Sequence, residues 1–74
     1  MKESPLINQT LLQMKYARII TLLSYELDVD DARALDLFYN SQTYHHMSNL
    51  EFHLHNMSDA YLVDEIVEEL QEQQ

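Results

Sequence analysis

Set at 100° per residue, the apolar positions of this chain fall into helical stripes. Leu12, Tyr16, Ile19, Ile20, Leu23 and Leu27 share one side of a first segment, with Gln13, Ala17, Thr21 and Ser24 opposite, which predicts a helix from about Asn8 to Leu27. Leu11, Met14, Leu22 and Tyr25 lie beside that stripe, among Lys15, Arg18 and Glu26. The apolar arc is therefore wider than one neighbouring helix would cover, and a second partner surface is expected on Leu11, Met14, Leu22 and Tyr25.

The next segment, "ELDVDDARALDLFYN", offers Asp28 or Asp30 as an N-cap. Acids follow in the first turn, where the helix dipole favours them, and Ala34, Leu35, Leu37 and Phe38 then make a broad apolar arc. A second helix is predicted from about Val29 to Tyr39. Asn40 ends it, Ser41 caps a short third helix reaching about Ser48, and Asn49 ends that one. With no glycine in the chain, asparagine is expected to take the left-handed conformation in which helices commonly stop.

"LEFHLH" alternates apolar and polar residues, yet no second strand-like segment exists to pair with it, so it is predicted as a packed connector. Ser58 is an N-cap with Asp59 in the first turn, and Met57 with Leu62 has the spacing of a hydrophobic staple. Leu62, Val63, Ile66, Val67 and Leu70 line one face of the last helix, to about Leu70, while Asp64, Glu65, Glu68 and Glu72 take the other.

These elements predict an all-α fold, a small bundle of three to four helices. Residues 1–7 form a loose N-terminal arm ahead of a single domain over residues 8–74. A chain of 74 residues buries too small a fraction of its surface to be comfortably stable alone, and it has no cysteine with which to make disulfides. Completion of the bundle by a homodimer is therefore expected. Lys15 and Arg18 are expected to reach Glu26 or the acidic last helix across the two-fold axis.

Charge narrows the partners. Residues 1–33 hold four bases and five acids, whereas residues 34–74 hold eight acids and no base, giving a formal net charge of −9. Such a field repels phosphate backbones, whose binding depends on Lys and Arg displacing counterions, so no nucleic acid is expected as a partner. It equally opposes anionic membrane surfaces and attracts basic proteins. The densest apolar patch, from Ile19 to Leu23, is far short of the ~20 residues of a membrane span. With no leader-like pattern either, a cytoplasmic protein is expected.

Absence of glycine excludes phosphate-cradling loops and dinucleotide fingerprints, because both need a backbone approach that a Cβ blocks. Ser41 and Ser58 are better explained as caps than as nucleophiles. A calcium loop beginning at Asp28 would place Arg33 where glycine is needed and Tyr39 where glutamate is needed. No enzymatic activity and no cofactor are expected.

The four histidines, His45, His46, His53 and His55, fall within eleven positions. His46, His53 and His55 make an alternative site for zinc or nickel, with His45 or Glu51 as a fourth ligand. Their spacing matches none of the usual paired ligand motifs.

The stretches "LFYNSQTYHHMS" and "HNMSDAYLVDEIVEEL" resemble a group of short, acidic, uncharacterised bacterial all-helical proteins. Those pair an "LFY-S-x-TY" helix junction with an "SxxYLxxE" final helix. The resemblance spans about Leu35 to Leu70, with Phe38, Tyr39, Tyr44, Tyr61 and Leu62 as matching positions. It implies no catalytic residue. Because such proteins are often encoded beside other small reading frames, toxin-like ones included, it implies a protein-binding role as an antitoxin-like or adaptor protein.

Overall fold

A computed structural model describes residues 9–49 and 54–73, and the predicted arm at residues 1–7 lies outside them. The described chain forms α1 (Gln9–Leu27), α2 (Asp31–Tyr39), α3 (Gln42–Ser48), a single 3-10 turn (Leu54–Asn56) and α4 (Asp59–Glu72), with no strand among the described residues. The architecture is all-α, as the periodicity predicts. Helix α1 packs against both α2 and α4, and α3 bridges α2 and α4 at one end.

Caps set most boundaries. Asp30, in extended conformation, accepts from the Arg33 N–H at 2.8 Å and starts α2. Ser41 accepts from Tyr44 N–H at 2.9 Å while donating to the Phe38 carbonyl at 2.7 Å, so one hydroxyl closes α2 and opens α3. Ser58 accepts from Tyr61 N–H at 3.0 Å and starts α4. The three bonds from Arg33, Tyr44 and Tyr61 each satisfy an amide that a helix start leaves without an intrahelical partner.

Asparagine does not do glycine's work here. Asn40 has φ −97° and Asn49 φ −92°, both outside the left-handed region. Asp28, at φ 56°, is the only described residue with positive φ. It ends α1 with Asp28 N–H donating to the Tyr25 carbonyl (3.3 Å) and Val29 N–H to the Ser24 carbonyl (3.1 Å), the two bonds of a Schellman stop. Asn40 instead stays right of the barrier because its side-chain amide donates to the Asp36 carbonyl at 2.8 Å and holds the turn tight.

The core is Tyr16, Ile19 and Leu23 of α1, Ala34 and Phe38 of α2, Met47 of α3, and Leu62, Val63 and Ile66 of α4. Leu12, Ile20, Leu27, Leu37, Val67 and Leu70 pack around it. Leu35, predicted within the apolar arc of α2, is exposed: Ala34 and Phe38 lie one turn apart and already fill the contact with α1.

At its centre, Tyr16, Phe38, Tyr39 and Tyr44 form a four-ring cluster, with centroids from 4.8 to 6.5 Å apart and mostly edge-on or tilted, the arrangement aromatic quadrupoles prefer. The matching positions Phe38, Tyr39 and Tyr44 thus meet at the α2–α3 junction, joined by Tyr16 from α1, while Tyr61 stays exposed. Replacing Phe38 by Ala should cost about 3–5 kcal/mol through lost burial and the cavity left behind. That is comparable to the whole stability expected of so small a core. Far-UV circular dichroism should therefore show the Phe38→Ala chain largely unfolded under conditions where wild type is helical.

Candidate functional site

Among the described residues, helix α1 is covered on one side only. Leu11, Met14, Leu22 and Tyr25, the residues singled out by the sequence, are 61, 52, 40 and 80 % exposed. With Arg18 they occupy positions i, i+3, i+7, i+11 and i+14 of one helix, which places all five within about 80° of its circumference. The stripe runs about 21 Å from Leu11 to Tyr25.

Two shallow grooves flank Leu22. One is lined by Ala17, Arg18, Thr21, Leu22 and Asp59. The other lies between α1 and α4, lined by Leu22, Tyr25, Ala60 and Val63 together with the acidic Glu26 and Asp64. The larger has a volume of about 370 Å³, at the small end for ligand sites, and it is open along its length. A bound small molecule would stay largely in water there. An apolar side chain delivered by another helix would be covered on its other side by that helix.

The face is held in place by one carboxylate. Asp59, in the first turn of α4, accepts from Lys15 Nζ at 2.8 Å on Oδ1 and from Arg18 Nε at 2.7 Å on Oδ2. Lys15 also donates to the Met57 carbonyl at 2.8 Å. Arg18's bond, supported by Lys15 and only partly opposed by burial, holds the Asp59 carboxyl below its ordinary pKa. Lys15 and Arg18 therefore close α1 onto α4 of their own chain, where the sequence analysis expects them to reach across a two-fold axis. Met57, placed as a staple residue, is exposed, and its carbonyl does the work.

A second carboxylate organises the far end. Glu69 accepts from the amides of Gln42 and Thr43, at 2.8 Å each, and from the Thr43 hydroxyl, capping α3 from α4. Its position was readable in principle: Glu69 follows Leu62 and Ile66 on the inward side of α4, away from exposed Asp64, Glu68 and Glu72.

The histidines are only partly in view. His45 and His46 stand in the last turn of α3 and His55 in the 3-10 turn, whereas His53 and Glu51 lie outside the described residues. Among the described residues no group of three or more His, Asp or Glu side chains is placed to hold a metal ion. Nor is any described helix long and apolar enough to cross a membrane. No protein-family model, curated protein or solved structure matches the chain.

The clamp makes stability depend on pH. A carboxyl whose folded pKa is depressed adds stability that is present above its unfolded value, about 4, and is lost as pH falls through the folded value. Asp59→Asn should cost roughly 1–2 kcal/mol at neutral pH, between an exposed ion pair and a charge-assisted hydrogen bond. Denaturant unfolding of both proteins should show the gap closing as pH drops below about 4. A gap unchanged in acid would mean that the Asp59 charge contributes nothing.

Proposed function

We propose that the chain is a non-enzymatic helical interaction module that works as a homodimer through the outer face of α1. It leaves an acidic α4 for a basic protein partner, as an adaptor or antitoxin-like protein would. One observation carries this: four large apolar side chains on a single stripe of α1 stand 40 to 80 % exposed. Monomeric proteins seldom line up so many large apolar side chains on one exposed helix face. Solvated helices place Gln, Lys and Glu where α1 places Leu11, Met14, Leu22 and Tyr25.

The acidic surface supports the second half of the proposal. Asp64, Glu68 and Glu72 are exposed along α4 with no base on that helix, and a one-sign field of this kind speeds encounter with a basic partner at low salt. The likeness of the α2–α3 junction and of α4 to short bacterial proteins encoded beside toxin-like reading frames points the same way.

Light scattering after size-exclusion chromatography tests the self-association. At tens of micromolar the wild-type protein should show twice the 8.8 kDa chain mass. Leu22→Glu, which puts a carboxylate on the stripe beside both grooves, should return it to the single-chain mass with helicity retained. A wild-type mass near 8.8 kDa would overturn the proposal.

A further inference from the structure

We propose that the second copy lies antiparallel on the first, α1 against α1, with the two-fold axis passing beside Arg18. This rests on the homodimer proposed above and specifies its geometry. The stripe is palindromic about Arg18: Met14 and Leu22 lie four residues to either side, and Leu11 and Tyr25 seven. An antiparallel pair centred there sets Met14 level with the partner's Leu22, and Leu11 level with the partner's Tyr25.

The surface relief agrees. One groove lies at the middle of the stripe, from Ala17 to Leu22, and the other in its C-terminal half, beside Leu22 and Tyr25, while Leu11 and Met14 of the N-terminal half are exposed apolar groups that line neither. Antiparallel packing brings these groups of one copy to the grooves of the other, twice. Met14, unbranched and flexible, suits a shallow groove whose walls include small Ala17 and Thr21.

Charge selects the same direction. With Arg18 and Asp59 cancelling at the axis, the N-terminal half carries Lys15, or +1. The C-terminal groove carries Glu26 and Asp64, or −2. Antiparallel pairing sets +1 toward −2 at both ends, whereas a parallel pair would set −2 toward −2, a like-charge juxtaposition that interfaces avoid. At the axis the two Arg18 side chains meet, each with its charge paired to its own Asp59.

The chain has no cysteine, so introduced thiols report on geometry without background. Leu11→Cys and Tyr25→Cys proteins are prepared separately, checked for dimer mass by light scattering, then oxidised alone and as an equimolar mixture. The antiparallel dimer predicts a disulfide-linked species in the mixture only. It holds like positions about 21 Å apart along the axis, against the ~7 Å between Cα atoms that a disulfide tolerates. Met14→Cys with Leu22→Cys should behave in the same way. Linkage within each protein alone, and none between them, would establish a parallel pair and overturn the proposal. A dimer mass with no linkage in any sample would overturn the register. A monomer mass for wild type would instead remove the homodimer itself.

Discussion

A 19-residue helix that the other described elements cover on one side only is the constraint from which the other features follow. Helix α1 is about 28 Å long, while α2 has nine residues and α3 seven, and α2 and α4 both pack on the side that carries Tyr16, Ile19 and Leu23. No described element remains to cover the stripe from Leu11 to Tyr25. An apolar face opposite an apolar core is what a helix at the centre of a larger bundle presents, and in the proposed dimer a second copy would supply the missing layer.

On the closed side, stability comes from a few dense contacts. The aromatic cluster joins three helices through four rings, a large apolar area for so short a chain. Two carboxylates then fix the remaining freedom of α4: Asp59 ties its start to the middle of α1, and Glu69 ties its last turns to the start of α3. Both interactions place negative charge at a helix N-terminus or against a base, so the excess of acids is partly built into the fold. Much of the remainder, Asp64, Glu68 and Glu72, is exposed along the outer side of α4.

What could be read from the sequence was local. Ser41, Ser58 and Asp30 mark helix starts because a cap and its amide lie three residues apart. The core stripes of α1 and α4 follow from periodicity alone, and the surplus arc on α1 was visible in the same way. The Asp59 clamp joins residues 41 and 44 positions apart, and the Glu69 cap spans 26 and 27, separations at which no period or cap rule operates. Hence Lys15 and Arg18 looked available to a second subunit, and Leu35 looked buried. The exchange of Asn40 and Asn49 for Asp28 as the left-handed stop has a similar origin. Which short polar residue adopts positive φ depends on where Val29 must go to reach the core, not on asparagine's preference. The grooves beside Leu22 were equally hidden, since Ala60, Val63 and Asp64 come from α4.

If the outer face of α1 is buried by a second copy, folding and association are one equilibrium, and stability must depend on concentration. The thermal unfolding midpoint, followed by circular dichroism across a hundredfold range of chain concentration, tests this directly. The account predicts a rise of roughly 5–10 °C from the lowest to the highest concentration. A midpoint that stays the same across the range would show that the chain folds alone with its apolar stripe in water, and would contradict it.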